Sequence, residues 1–385
     1  MKLATKIQVC LVCKEAIINI SPALDEAIKP EKIILVVSPQ MHQYADNLTQ
    51  VLKKDAQIEV SKWEIENAWD IEHIRTRLME LLETLDNDVS LNATGGTKPM
   101  SMAAFEVFRA YEKAIFFVRA KTDQLIWLYP NNRPLHELAN KAQLHHFLNA
   151  YGAEVEGRGN NSVLPAWKAL TDLLIQRIDR YAKPIRTLNY FAHQAENNLI
   201  SPSMANEQRK YAGFNDLLDL FEQAGLFKLV SNRMQFSDES ARFFCNGGWL
   251  EQHVYATIMA LKKKQLTQIQ DLSQSLEVLK RSPKGKAIKN ELDIAFLADN
   301  FLHIIECKTK RFKYKESNKG GGTETLYKLD TLQDLYGGLN AKSMLISYLP
   351  LSEYDRRRAA DLNIHLCESN QIQNLKSIIT EWVEL

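Results

Sequence analysis

The sequence predicts an α/β protein of several domains. Three observations carry this expectation. Short apolar runs of strand length alternate with helical stretches over the first 130 residues. Near residue 205 the pattern changes to a compact amphipathic helix followed by two short strand candidates. Past Gly247-Gly248, strand and helix candidates alternate again to the end. A chain of 385 residues has room for two or three domains of roughly 100–200 residues each.

Residues 7–12 form the first strand candidate, and 17–28 cover a short helix. Residues 32–37, Lys-Ile-Ile-Leu-Val-Val, suit a central strand covered on both faces. Ser38-Pro39 ends it, and a helix follows to about residue 52. The pattern then predicts a strand over 56–60, a helix over 65–85, a strand over 88–92, a helix over 98–111, and strands over 115–119 and 124–128. Strands spaced by helices in this way indicate a mostly parallel, Rossmann-like sheet. Too few strand–helix units precede residue 130 for a barrel.

Pro130-Asn131-Asn132 breaks the pattern. A helix is expected over 135–149, a turn-rich linker over 157–161 and another helix over 164–181. Residues 214–224 form a helix that Gly225 can end. Two short strands around Ser231-Asn232 follow, so the segment resembles a winged helix. It carries no basic excess to hold phosphates, which favours a packing module. Beyond it lie a helix over 249–263, strands over 276–280, 291–297 and 302–308, a helix over 326–339, strands over 343–349 and 363–366, and a last helix over 371–383. The chain divides as 1–150, 151–240 and 241–385.

Composition narrows the function classes. Lys and Arg total 48 and Asp and Glu 47, a net charge of +1, so a nucleic-acid role needs locally concentrated positive charge. No apolar run approaches a membrane span. The N-terminus lacks the pattern of a signal peptide. Five cysteines suit a reducing cytoplasm. Cys10 and Cys13 lie in or beside an apolar strand, where positions i and i+3 face opposite sides; small core residues are the better reading than zinc ligands.

Thr94-Gly95-Gly96-Thr97-Lys98 lies between a strand candidate and a helix candidate, at the sheet edge where open α/β sheets bind ligands. Gly95 and Gly96 permit a backbone that turns N–H groups toward an anion. Thr94 and Thr97 offer hydroxyls. Lys98 adds charge beside a helix N-terminus, which favours phosphate. Pro99 fits the first helical turn. The turn matches neither the P-loop nor the GxGxxG fingerprint, and an ordinary strand–helix turn is the competing reading.

The second constellation runs from Glu251 to Lys308. Asp293 sits in Asn-Glu-Leu-Asp-Ile-Ala-Phe, and Glu306-Cys307-Lys308 follows. Positions i and i+2 of a strand share a face, so Glu306 and Lys308 can enter one site. Asp293 can reach it from the neighbouring strand, joined through an Asp299-Asn300 turn. Two adjacent carboxylates repel unless a cation lies between them. Oxygen ligands suit Mg2+ or Mn2+, which can polarise a phosphodiester and lower the pKa of water. Glu251 is a candidate third ligand or a solvated helix residue. Lys308 orients water or offsets phosphate charge. The basic run Lys308, Lys310, Arg311, Lys313, Lys315 and Lys319, with Phe312 and Tyr314, can guide a backbone and stack on unpaired bases. Lys328 and Gln333, on a later helix, can help hold the scissile phosphate or water, but plain helix-surface residues are the better reading.

Together the two constellations resemble the CRISPR-associated CARF–nuclease family, on Ala93 to Lys98 and on Glu251, Asp293, Glu306 and Lys308. Leu292 stands where the family's PD-(D/E)xK signature has proline; that position is not a ligand. The resemblance spans nearly the whole chain. It implies a Rossmann-like CARF domain that senses cyclic oligoadenylate, a connector, and a restriction-endonuclease-like domain. It also implies a homodimer that binds one cyclic RNA messenger across its interface. The implied reaction is metal-dependent cleavage of single-stranded or nicked DNA, with RNA as a further substrate class. The alternative is a non-enzymatic nucleotide sensor that binds DNA.

Overall fold

The computed structural model describes residues 4–85, 88–139, 142–159, 165–281, 287–310 and 322–384. The N-terminal part begins with β1 (Ile7–Leu11), α1 (Ile17–Leu24), β2 (Lys32–Val37), α2 (His42–Lys54), β3 (Glu59–Glu64), α3 (Ile71–Glu83), β4 (Val89–Asn92), α4 (Lys98–Ala110), β5 (Ala114–Arg119) and β6 (Gln124–Tyr129). The short β7 (His136–Glu137) and α5 (Leu144–Ala150) complete it. Its sheet has the order β3-β2-β1-β4-β5-β6-β7. The first five strands are parallel, and β6 and β7 add antiparallel. This is the expected Rossmann-like arrangement. Ile33 to Val37 are all buried, as a doubly covered central strand requires.

Three local expectations shift. The strand predicted over 56–60 forms over Glu59–Glu64. Gln57 turns the chain at φ 55, while Ala56 and Ile58 pack into the core ahead of the strand. The helix predicted over 135–149 is confined to α5, because His136–Glu137 extends the sheet edge first. Beyond it, β8 (Ala153–Gly157) lies at the start of the predicted connector but pairs antiparallel with a strand of the C-terminal sheet. Of the predicted linker, residues 160 and 161 lie outside the described residues.

The connector holds α6 (Pro165–Gln176), α7 (Ile178–Gln194), the one-turn α8 (Asn206–Arg209), α9 (Phe214–Gln223), and a hairpin of β9 (Phe227–Val230) and β10 (Arg233–Phe236). Ser231 and Asn232 both take positive φ, the twist a two-residue hairpin turn needs. Phe214, Leu217, Phe221, Phe227 and Met234 face one core, so this helix–hairpin unit packs onto the protein.

The C-terminal part continues with α10 (Glu239–Phe243), α11 (Trp249–Lys264), β11 (Ile269–Arg281), β12 (Ala287–Ala298), β13 (Phe301–Lys308), α12 (Thr323–Tyr336), β14 (Ala341–Ser347), α13 (Glu353–Asp361), β15 (His365–Glu368) and α14 (Leu375–Glu384). Its sheet order is β15-β14-β13-β12-β11-β8. Here β13, β14 and β15 run parallel, while β11, β12 and β13 form an antiparallel meander. One core joins both sheets: Ile17, Leu48 and Phe147 of the N-terminal part cluster with Leu276, Leu292, Leu302 and Leu345 of the C-terminal part.

Candidate functional site

Asp293 and Glu306 both lie close to Lys308 Nζ. Asp299 and Asn300, at φ 48 and 62, close the hairpin that sets β12 beside β13. Glu306 and Lys308 share a face and form an ion pair. Asp293 Oδ2 accepts the Cys307 backbone N–H at 2.8 Å and lies 4.0 Å from Lys308 Nζ. Leu292 pairs with Leu276 and Ile294 with Gln274, and Asp293 lies between them across from Ser275, which has φ 44.

Lys328 corrects one expectation. It reads as a helix-surface residue, yet its Nζ lies 3.5 Å from Glu306 Oε1. Position 328 on α12 is brought over the sheet by the packing of Leu326, Leu329 and Leu332. Gln333 accepts from Ser343 Oγ at 2.6 Å and so braces α12 against β14.

The electrostatics are those of crowded acids. Burial pushes Asp293 up to about 7, and the Glu306 charge adds to this against Lys308. Glu251, on α11, is held well above the usual carboxylate range by burial, then by Asp293 and Glu291. Its Oε2 is buried without a hydrogen-bond partner among the described residues. Burial opposes the charge on Lys308, but Asp293 and Glu306 outweigh it and raise its pKa. Glu306 is 2 % exposed. Glu251, Asp293 and Glu306 are not among the sets of described residues whose ligating atoms all lie within 4.8 Å of one another, but buried acids that raise one another's pKa fit a hard divalent cation, because such groups must be paired, protonated or metal-bound. Of the basic run, Lys308 and Lys310 are described; Arg311, Phe312, Lys313, Tyr314, Lys315 and Lys319 lie outside the described residues.

The glycine-rich turn also forms where expected, between β4 and α4. A cavity of about 420 Å³ is lined by Thr94, Gly95, Gly96, Thr97, Lys98, Phe105, Phe117 and Leu128, among others. A side chain at Gly95 would put Cβ 2.1 Å from the Leu11 carbonyl oxygen, and Gly96 has φ 76, so the turn requires both glycines. The hydroxyls are committed elsewhere. Thr94 Oγ1 donates to Asn92 Oδ1 at 2.6 Å and accepts the Val118 N–H at 2.8 Å. Thr97 caps α4 by accepting from Met100 N–H and donates to Ala68 O at 2.7 Å. Both threonines therefore shape the turn, leaving Lys98 exposed at its mouth. Met102, Phe117 and Leu128 are exposed around the cavity, an apolar rim that no motif announces.

Cys10 is fully buried and Cys13 half-buried, both free. Among the described residues, another set could chelate a divalent cation: ligating atoms of Asp55, His145 and His146 lie within 4.8 Å of one another. His146 Nδ1 already accepts the Gln143 N–H at 3.1 Å, which places the ring proton on Nε2. Metal binding there has to displace that proton. The set lies on α5 and at the end of α2, apart from Asp293 and Glu306.

Two regions match known families. Residues 7–147 match the Card1 CARF domain, and residues 238–385 match the Card1-like endonuclease domain. Protein VC1899 from Vibrio cholerae is 30% identical over 98% of both chains, with a TM-score of 0.85. The chain belongs to the CARF–endonuclease family. This family fuses a cyclic-oligoadenylate sensor to a nuclease domain. Can2 from Sulfobacillus thermosulfidooxidans, solved with cyclic tetra-adenylate, is 27% identical over 98% of this chain and 99% of its own, with a TM-score of 0.78. A type III CRISPR defence DNA nuclease activated by cyclic oligoadenylate shares the fold at 16% identity and a TM-score of 0.54, over 89% of this chain and 45% of its own. No curated protein sequence matches the chain. No described helix of this CARF–endonuclease is long and apolar enough to cross a membrane.

Proposed function

We propose that this CARF–endonuclease is a divalent-metal-dependent phosphodiesterase switched on by cyclic oligoadenylate, cutting single-stranded or nicked DNA, with RNA as a second substrate class. The observation that carries it is the meeting of Asp293, Glu306 and Lys308 on the β12–β13 hairpin, with Glu251 buried in the field of the two acids. Glu251, Asp293 and Glu306 hold the cation. When bound, Mg2+ or Mn2+ supplies Lewis-acid polarisation of the phosphodiester and a more acidic attacking water. Lys308 and Lys328 place positive charge where the phosphate develops negative charge. Asp293 receives and holds a proton near neutral pH when the site is empty of cation, so loading releases it.

The messenger binds over Gly95, Gly96 and the α4 N-terminus, with Lys98 meeting a phosphate. Two copies face each other through the apolar rim of Met102, Phe117 and Leu128 and enclose one cyclic ligand. Can2, solved with cyclic tetra-adenylate, is the relative that supports this part. The test is cleavage of labelled single-stranded DNA and RNA with Mn2+ or Mg2+, with and without cyclic oligoadenylates of different ring size. Messenger-dependent cutting that disappears in Glu306→Ala and Asp293→Ala supports the reading. Undiminished cutting by either variant removes these residues from the site. Sequence-specific duplex binding without cleavage would instead favour a DNA-binding regulator.

A further inference from the structure

The glycine-rich turn and the carboxylates belong to different sheets, yet a short series of hydrogen bonds joins the strands that carry them. Thr94 Oγ1 accepts the Val118 N–H at 2.8 Å, which pins the turn to β5. Just beyond β5, the Ala120 carbonyl accepts from Asn300 Nδ2 at 2.7 Å. The same amide nitrogen donates to Asp123 Oδ1 at 2.7 Å. On the nuclease side, Asn300 Oδ1 accepts from Gln270 Nε2 at 2.7 Å, and the Asn300 backbone N–H donates to Gln270 Oε1 at 2.9 Å. Asn300 is 1 % exposed, so water cannot readily replace these partners.

The position of Asn300 gives the network its mechanical meaning. It is the second residue of the two-residue turn between β12 and β13. Those strands carry Asp293 and the Glu306–Lys308 pair. A displacement at the end of β5 therefore acts on the hairpin that sets the carboxylate geometry. The side chain suits the task. Its amide offers two donors and an acceptor, and asparagine tolerates the positive φ found here.

We infer that Asn300 is a positioning residue that couples occupancy of the sensor turn to the carboxylate site. This rests on the proposed messenger-activated nuclease. Asn300→Asp keeps the shape of the side chain but turns its donor into a carboxylate facing Asp123 Oδ1 and the Ala120 carbonyl. The full-length protein is assayed for the ratio of messenger-stimulated to metal-only cleavage, for cyclic tetra-adenylate binding, and for thermal unfolding.

Asn300→Asp is expected to lower the stimulation ratio at least about 5-fold, within the usual range of allosteric coupling, while messenger binding and metal-only cleavage persist. Adding Asp123→Asn restores a donor facing the new carboxylate and is expected to recover much of the ratio. If Asn300→Asp does not fold, Asp123→Ala supplies the comparison from the sensor side, with the same sign. An unchanged ratio in the variant that folds overturns the coupling. So does a loss of metal-only cleavage equal to the loss of stimulated cleavage, because that marks a general fault in the hairpin. A wild-type protein that no cyclic oligoadenylate stimulates overturns the messenger-activated reading, and the coupling with it.

Discussion

Asp293 shows how one residue's surroundings define its chemistry. Its folded pKa is raised to about 7 by burial and by Glu306, against an ordinary value near 4. In the metal-free protein this contribution to stability is fully present below about pH 4 and is lost as pH rises toward 7. Asp293→Asn removes the penalty while keeping an acceptor for the Cys307 N–H. It should stabilise the metal-free protein above pH 7 by roughly 1–3 kcal/mol, measured by denaturant unfolding across pH, and should show little gain at pH 4. The same variant should reduce cleavage at least about 100-fold, because metal and substrate lose a ligand. Chelation of the wild type should give a matching loss. At the sensor, Gly95→Ala forces a methyl group against the Leu11 carbonyl oxygen. It should cost about 1–3 kcal/mol and weaken messenger binding; both are readable by thermal shift with cyclic tetra-adenylate.

At the scale of elements, the β12–β13 hairpin and the β9–β10 hairpin share a turn chemistry but differ in use. The first brings three charged side chains to one place and is covered by α12, so its charges are desolvated. The second presents Lys228 and Arg233 outward while its apolar residues close the connector core. Asp216 on the preceding helix is taken by Arg180. A nucleic-acid surface needs unopposed cations; the helix–hairpin unit lacks the excess. Lys228→Glu with Arg233→Glu should leave messenger-dependent cleavage within about 2-fold of the wild type, since surface charge changes far from a site have small effects. A large loss in a cleavage assay would return this unit to consideration as a DNA-binding element. The α12 helix has the opposite status: Lys328→Ala removes a cation from Glu306 and should lower the cleavage rate while messenger affinity holds.

Across the whole molecule, the sensor and nuclease sheets share one hydrophobic core. Phe147 of α5 and Leu292 of β12 belong to it together, and the Leu144 N–H donates to Asp271 Oδ2 at 3.0 Å across the junction. Arg158 clamps the same carboxylate. A hydrophobic core shared by both sheets should couple their unfolding. Calorimetry should therefore give a single main transition. Messenger at 100 times its Kd should stabilise the whole unit by about 2.7 kcal/mol. Two transitions, of which only one responds, would contradict the shared core.

Much of this was legible from residue order. The run Lys32 to Val37 is a buried central strand because nearly every side chain in it is apolar. Glu306 and Lys308 share a face because strand side chains alternate. Gly95 and Gly96 mark a turn because a glycine pair between a strand pattern and a helix pattern is a turn signal. Local rules of this kind need no knowledge of the rest of the chain. Other features depended on which distant segments meet. Lys328 reaches Glu306 only because α12 packs across the sheet, 22 residues along the chain. β8 left the predicted connector because the edge of β11 offered unpaired backbone groups. Thr94 and Thr97 are spent on the turn because Val118 and Ala68 come within reach. Asn300 links two sheets through partners up to 180 residues away. Sequence by itself determined which residues could form strands, turns and an acidic pair; tertiary structure decided which were buried together, and burial is what turns a carboxylate into a ligand and an amide into a link.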